Sequence, residues 1–293
     1  MKVKLNNGYE MPIVGLGTWR SSPEDAYNAV LAALKAGYRH IDTAAIYGNE
    51  EMIGKAIKDS NIKREEIFIT TKLWNTDQGY EQTLKAFEES RRKLGVDYVD
   101  LYLIHWFKGY ENSLSTYKAF EELYKQGKVK AIGVSNYNVH HIQHLLDNVE
   151  IKPMVNQVET HVTLQNHFLH DFCKQNNIQM EAYAPLMSKN IGEMLNNETL
   201  KEIAKKYNKT IPQIAIRWLI ERGIVVIPKS VTPSRIESNF DVFDFNLDGD
   251  DMQKIRKINT GRKIFVEFDN VDYWRDQSVN QDWWFTLFLL KIW

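Results

Sequence analysis

Four side chains of the kinds that commonly transfer protons lie at the ends of predicted strands. Asp42 and Tyr47 share one segment, Lys72 lies near the end of the next β-branched run, and His105 follows the run after that. Aspartate and lysine are costly to bury unless they pair, and an adjacent ammonium lowers the pKa of a phenol from about 10. The set predicts a proton-transfer centre in which Tyr47 is the proton donor near neutral pH. His105 would orient a substrate oxygen or relay the proton.

A second group of residues suits a bound anion. Residues 227–235 read IPKSVTPSR, in which Pro233 begins a predicted helix and Thr232 is its N-cap. The free N–H groups at a helix N-terminus bind anions. Lys229, Ser230 and Arg235 surround that end, and two cations with a hydroxyl suit a phosphomonoester dianion.

Further polar and aromatic side chains follow other strands. Ser135 and Asn136 lie in GVSNY and Gln157 in NQVE, and their hydroxyl and amide groups suit a carboxamide or a pyrophosphate. Tyr183, in AYAPL, offers a flat face on which a nicotinamide ring would stack. The glycines of GLG at residues 15–17 are not a dinucleotide-binding Rossmann motif, because the third glycine and the later acidic residue are missing.

Large aromatic residues also follow the strands. Trp19, Trp74, Trp106 and Phe107 could simply pack beneath a rim, but an apolar wall with a few polar groups is how proteins hold small ligands. We expect Trp19, Trp74 and Trp106, together with Tyr47 and His105, to line the pocket of a small to medium, partly apolar substrate.

The elements that must position these residues alternate between strand and helix. Residues 1–14 predict a hairpin with a turn at Asn6–Gly8. Short, continuously apolar strands then recur, as is typical of parallel strands buried on both faces. Polar residues follow them at intervals of 22 to 46 residues, close to the length of a βαβ unit: Asp42, Lys72, His105, Ser135, Gln157, Tyr183 and Lys229. The pattern predicts a (β/α)8 TIM barrel with its site at the carboxyl ends of the strands, and the long last interval predicts an inserted loop around 187–197.

Composition limits the function further. The 293 residues carry a net charge of −1 and one cysteine, which argues against a nucleic-acid partner, a disulfide framework or a thiolate metal site. His140, His141 and His144 have a spacing that permits metal ligation, but no carboxylate or cysteine joins them, so we expect no metal. No signal peptide or membrane span is evident, which favours a cytoplasmic protein.

We expect one domain, with the hairpin at 1–14, the barrel at 15–264 and a loop or tail at 265–293 over or beside the barrel mouth. The tail contains the apolar run WWFTLFLLKIW at 283–293. Such a run would cover the pocket or form a dimer contact. We expect a monomer or a weak dimer.

The motifs GLGTW, IDTAAIYGNE, TKLW, LIHW, GVSNY, NQVE, AYAPL and IPKSVTPSRIESN are together specific. Through them, from about Lys4 to Asp272, the chain resembles the aldo-keto reductase superfamily, and in particular its bacterial glyoxal and 2,5-diketo-D-gluconate reductases. The resemblance implies a barrel that reduces aldehydes and ketones with hydride from NADPH. It places the catalytic tetrad on Asp42, Tyr47, Lys72 and His105.

The resemblance also implies a cofactor site. Nicotinamide contacts fall on Ser135, Asn136, Gln157 and Tyr183, contacts to the 2′-phosphate on Lys229, Ser230 and Arg235, and an adenine contact on Asn239. The full expected set for NADPH and NADP+ is Gly17, Thr18, Trp19, Asp42, Ser135, Asn136, Gln157, Tyr183, Ala184, Leu186, Lys229, Ser230, Val231, Thr232, Arg235 and Asn239. The chain departs from the family at Ser238, where glutamate is frequent.

Two alternatives remain open on sequence alone. The chain could be a nicotinamide-binding sensor subunit, although an intact tetrad favours catalysis. It could also be an aldolase that forms a Schiff base on Lys72, although a paired Asp42 would keep that lysine charged.

Overall fold

The strands and helices of the computed structural model alternate along residues 1–265, the part of the chain that the structure describes. Its strands are β1 (Lys2–Lys4), β2 (Glu10–Pro12), β3 (Leu16–Gly17), β4 (His40–Asp42), β5 (Phe68–Leu73), β6 (Val99–Ile104), β7 (Val129–Ser135), β8 (Val155–Glu159), β9 (Gln179–Tyr183) and β10 (Val225–Val226). The tail predicted over 265–293 lies outside the described residues, apart from Phe265.

The helices are α1 (Pro23–Ala36), α2 (Glu50–Asp59), α3 (Tyr80–Leu94), α4 (Tyr110–Lys125), α5 (Val139–Asn148), α6 (His167–Gln175), α7 (Ile191–Leu195), α8 (Glu198–Tyr207), α9 (Ile211–Glu221), α10 (Pro233–Phe240) and α11 (Gly249–Arg256). Two of the predicted caps make their hydrogen bonds. Ser22 accepts a hydrogen bond from the Asp25 amide ahead of α1, and Thr210 and Gln213 form a reciprocal capping box on α9.

Strands β3 to β10 form one parallel sheet in sequence order, and the sheet closes on itself. Bridges from Val14 to Val226 and from Gly17 to Lys229 join its two ends. The closure needs glycine at position 17, because a Cβ there would lie 2.8 Å from the carbonyl oxygen of Ile227. The hairpin of β1 and β2 stands apart as a two-stranded antiparallel sheet. The predicted (β/α)8 barrel with an N-terminal hairpin is confirmed.

The apolar runs form the barrel core. Every residue of β5 and β6 is buried, as continuous apolar strands beneath a layer of helices should be. The polar residues at the strand ends therefore lie together at one mouth of the closed sheet.

The structure differs from the sequence expectation in three ways. The segment 187–197, predicted as a loop, contains a 3₁₀ turn (Ser188–Asn190) and α7. Helix α4 begins at Tyr110, four residues before the predicted start at Leu114. The pattern did not single out α2, α8 or α11, since each is rich in charged residues and buries only a few apolar side chains.

Candidate active site

The predicted proton-transfer residues meet at the carboxyl-terminal mouth of the barrel. Asp42 ends β4, and a 3₁₀ turn over Ala45–Tyr47 follows it closely. Lys72, in β5, donates to the Asp42 carboxylate (Nζ–Oδ1, 2.6 Å) and to the Thr43 carbonyl oxygen at 2.9 Å. The same ammonium lies 3.4 Å from the phenolic oxygen of Tyr47. One cation thus joins the carboxylate to the phenol.

The charges of this group differ in part from the sequence expectation. Burial lowers the pKa of Lys72, but the negative charge of Asp42 and the hydrogen bond to it outweigh that effect, so the pKa lies above its ordinary value. Burial raises the pKa of Tyr47 more than Lys72 lowers it, and Asp42 raises it further. The expectation of a lowered Tyr47 pKa was wrong, because desolvation disfavours the phenolate more than the ammonium favours it, and the carboxylate adds to the desolvation effect. Tyr47 therefore carries its proton at neutral pH.

His105 lies beside this group as a neutral imidazole. Burial, and then the charge of Lys72, lowers its pKa well below the ordinary value. The edges of Tyr47 and Trp74 pack against it, with ring centroids 5.7 and 5.1 Å away. Its Nδ1 has no hydrogen-bond partner among residues 1–265. A neutral imidazole has one N–H, which suits it to donate to a carbonyl oxygen.

Hydrogen bonds connect the polar residues at the next strand ends. Asn136 donates to the His105 carbonyl oxygen at 3.0 Å, and the Tyr183 hydroxyl donates to Asn136 Oδ1 at 2.8 Å. The hydroxyl of Ser135 donates to the Gln157 carbonyl oxygen at 2.9 Å. Asn136 adopts a left-handed φ of 61°, which asparagine tolerates better than most residues. The predicted nicotinamide contacts are thus gathered beside the proton donor.

Four of the other predicted cofactor residues lie along the same rim. The Thr18 hydroxyl donates to the Asp42 carbonyl oxygen at 2.9 Å, which joins the loop after β3 to β4. Gly17 closes the barrel against the loop after β10. Ala184 has a left-handed φ of 49° just past β9, and Leu186 packs against the core.

The predicted anion site lies at the start of α10. Thr232 is its N-cap and Pro233 its first residue, although the Thr232 side chain makes no capping hydrogen bond. Ser230 is buried and accepts from the Thr232 amide at 3.1 Å. Lys229, Val231 and Arg235 are exposed. Cationic side chains and a helix N-terminus are therefore open to a ligand there.

Sequence reasoning missed one cation near this end. Arg20 packs over the Trp19 ring at 4.3 Å. Burial lowers the pKa of Lys229, and the charge of Arg20 lowers it further, while Asp25 acts in the opposite direction. The pattern that could have indicated Arg20 was TWR, directly after the first barrel strand. Asn239, the predicted adenine contact, is 5% exposed in α10.

The predicted aromatic wall stays a prediction, but the structure gives the ring contacts of its three tryptophans. Trp74 lies against His105, and Trp106 is stacked at 6.4 Å from it. The Trp19 ring makes an edge contact with Phe265, whose centroid is 5.4 Å away. Phe265 also packs against Tyr183 at 5.7 Å. The end of the described chain therefore reaches the barrel mouth.

Glu159, another residue that sequence reasoning missed as functional, fixes this chain end. Its carboxylate is fully buried and accepts from the backbone amides of Ile264 at 2.7 Å and Phe265 at 3.1 Å. His161 lies 2.9 Å from the same carboxylate. The signal was a second polar residue, two positions after Gln157 in NQVE.

Neither a metal site nor a membrane span is found in the described part. Within residues 1–265 no group of three or more histidine, cysteine or acidic residues is placed to hold a metal ion. None of the helices in that range has the length and apolarity needed to cross a membrane.

A closed barrel with an Asp–Lys–Tyr group and a neutral histidine at its mouth is typical of a barrel oxidoreductase, and residues 1–265 contain no separate Rossmann domain. The chain belongs to the aldo/keto reductase family, whose sequence model matches residues 13–260. The family resemblance inferred from the sequence motifs is therefore confirmed.

Individual relatives agree with this assignment. A glyoxal reductase of Bacillus subtilis is 52% identical over 263 residues, which is 89% of this chain and 94% of the relative. The crystal structure of MGS-M4, an aldo-keto reductase from a Medee basin deep-sea metagenome library, is 75% identical and superposes with a TM-score of 0.92, covering 92% of this chain and 100% of that one. A Bombyx mori aldo-keto reductase in complex with NADP is 36% identical, with a TM-score of 0.86 and coverage of 94% and 97%.

Proposed function

We propose that this protein reduces aldehydes and ketones to alcohols with NADPH, and that Tyr47 donates the proton. The observation that carries the proposal is the position of the Lys72 ammonium, 2.6 Å from Asp42 and 3.4 Å from the Tyr47 oxygen. The name of the Bacillus relative supports a small dicarbonyl compound as one substrate.

The residues present fit a nicotinamide cofactor. At one end, Lys229, Arg235 and the start of α10 would hold the 2′-phosphate, because two cations and free N–H groups suit a dianion. At the other end, the Gln157 amide and the Ser135 and Asn136 side chains would hold the carboxamide. When bound, the reduced nicotinamide supplies the hydride. The Bombyx relative that was crystallised with NADP supports this choice.

The side chains of the site divide the remaining work. The neutral His105 donates a hydrogen bond to the substrate oxygen and polarises the carbonyl group. Tyr47 transfers its proton to that oxygen as negative charge develops there. The adjacent Lys72 cation stabilises the phenolate that remains, and Asp42 holds Lys72 charged and in place.

The same electrostatics disfavour the aldolase alternative. A Schiff base requires a neutral amine, and Asp42 keeps the pKa of Lys72 above its ordinary value.

We also propose that the protein is a single barrel domain, that it is cytoplasmic and that it acts as a monomer or a weak dimer.

Absorbance of NADPH, followed with methylglyoxal, an aromatic aldehyde, an aldose and a keto acid, tests the proposal, with NADH in parallel. We expect turnover with NADPH, and we expect Tyr47→Phe to abolish it while NADPH binding stays nearly unchanged. A Tyr47→Phe variant with the wild-type rate would refute the assignment. Tight NADPH binding without turnover of any carbonyl compound would favour the sensor alternative.

A further inference from the structure

A second buried carboxyl group lies beneath the proton-transfer residues. Glu181, in β9, is fully buried, and among residues 1–265 no lysine or arginine forms an ion pair with it. The nearest basic group is His40 Nε2, 3.7 Å away, and burial lowers the pKa of His40 to about 3, so this ring is uncharged at neutral pH. A buried carboxyl group without an ion-pair partner is costly to ionise, and the reduction mechanism gives Glu181 no task.

The contact that distinguishes Glu181 is with the side chain of Gln157. Strands β8 and β9 pair so that Gln157 lies directly opposite Glu181. The Gln157 Nε2 atom donates to Glu181 Oε2 at 2.8 Å and to Asp42 Oδ2, also at 2.8 Å. A primary amide has two N–H hydrogens, and these two acceptors use both of them.

This arrangement fixes which way the amide faces. Turning it over would put the Gln157 oxygen against Asp42 Oδ2, an oxygen of the carboxylate paired with Lys72, and would leave two acceptors facing each other in a buried site. In the observed orientation the Gln157 oxygen accepts no hydrogen bond from any of the described residues. It is therefore available to a ligand as an acceptor.

We infer that Glu181 is a positioning residue: together with Asp42 it holds the Gln157 amide so that its oxygen accepts a hydrogen bond from the N–H of the cofactor carboxamide. The inference rests on the proposed function, since it requires a nicotinamide cofactor at Gln157. The arrangement also joins the proton-transfer residues to the predicted nicotinamide contacts. Asp42 binds the Lys72 ammonium through one oxygen and the Gln157 amide through the other.

A cofactor analogue separates this role from simple filling of the barrel. In reduced 3-acetylpyridine adenine dinucleotide phosphate, a methyl group replaces the carboxamide NH2, so the analogue has no N–H to donate. Dissociation constants for NADPH and for the analogue, measured by quenching of tryptophan fluorescence without substrate, report the hydrogen bond directly. We expect the wild-type protein to bind NADPH about tenfold more tightly than the analogue.

The variants should change this ratio selectively. Glu181→Met keeps an unbranched side chain of similar size but removes the acceptor, and we expect the NADPH advantage to fall to near unity. Glu181→Gln retains an acceptor oxygen and should keep the advantage. If Glu181→Met does not fold, Glu181→Ala takes its place. Gln157→Leu should lose the advantage as well, and adding Glu181→Met to it should change the ratio no further.

Glu50 provides the matched control. It is also a buried carboxyl group, 2% exposed, but it accepts from Thr71 at 2.7 Å and does not contact Gln157. Glu50→Met should leave the ratio at its wild-type value.

The possible failures are distinguishable. If Glu181→Met keeps the wild-type ratio while Gln157→Leu loses it, the inference is overturned and the cofactor contact stands. A wild-type ratio of one would overturn the inference and leave the reductase proposal intact. A wild-type protein that does not bind NADPH would overturn the proposed function itself.

Discussion

The ammonium of Lys72 lies 2.6 Å from Asp42 Oδ1, and the two side chains are only 1% and 3% exposed. Removing one member of such a buried pair leaves an uncompensated charge, which costs about 3–5 kcal/mol. We expect Lys72→Met to lower the free energy of unfolding by this order, and the double variant Asp42→Asn/Lys72→Met to be more stable than Lys72→Met alone. Urea unfolding measures both, and neither variant should reduce carbonyl compounds. A double variant as unstable as the single one would contradict a charge-based explanation.

A substitution at Arg235 tests whether the protein prefers NADPH to NADH. Its guanidinium is exposed near the start of α10, where a charge-assisted contact to a phosphate would form. Arg235→Ala should weaken NADPH binding about tenfold and leave NADH binding unchanged. Fluorescence titration with both cofactors measures this, with Arg256→Ala, an exposed arginine on α11, as the control. Equal weakening for NADPH and NADH would show that Arg235 does not contact the 2′-phosphate.

Glu181 should make the free energy of unfolding decrease as the pH rises. Burial, and then the Asp42 charge, raises its pKa from 4.5 to about 8. The folded state therefore binds more protons than the unfolded state between these values, so this contribution to stability is present at low pH and is lost as the pH rises towards 8. Its slope is at most about 1.4 kcal/mol per pH unit.

Glu181→Gln cannot lose a proton from that side chain and should remove this part of the dependence. We expect its free energy of unfolding to improve relative to the wild-type protein as the pH rises from 5 to 8. Urea denaturation at intervals across that range is the measurement. Parallel stability curves for the two proteins would show that Glu181 does not titrate there.

Glu159 should control the motion of the last described residues. It accepts from the amides of Ile264 and Phe265 through its two oxygens, so Glu159→Gln replaces one of the two acceptors with an NH2 group. We expect hydrogen exchange at these amides to become about fivefold faster, since each bond contributes roughly 1 kcal/mol. Mass spectrometry of the full chain measures the exchange.

Glu193→Gln is the control, because the Glu193–Arg262 pair is exposed and such pairs contribute little. If the Glu159 and Glu193 variants accelerated exchange equally, Glu159 would have no special part in holding the segment.

Local patterns predicted most of the fold. The strand ends at Asp42 and Lys72, the cap at Ser22 and the capping box at Thr210 are all present where the sequence placed them. Helices such as α2 were not predicted, because their few buried residues give a weak pattern that only packing against the barrel makes stable. The start of α4 was misplaced for a similar reason, since Gly109 precedes it without a side-chain capping signal.

The sequence by itself determined which polar residues end the strands and in what order, because strand and helix periods are local properties of the chain. Only the tertiary structure decided which atoms meet. The Gln157 amide bridges Asp42, 115 residues away, and Glu181 across the barrel interior, and the burial that closure creates raises the Tyr47 pKa against the effect of Lys72. Contacts across a closed barrel and the desolvation inside it depend on all the strands together, and no local pattern contains them.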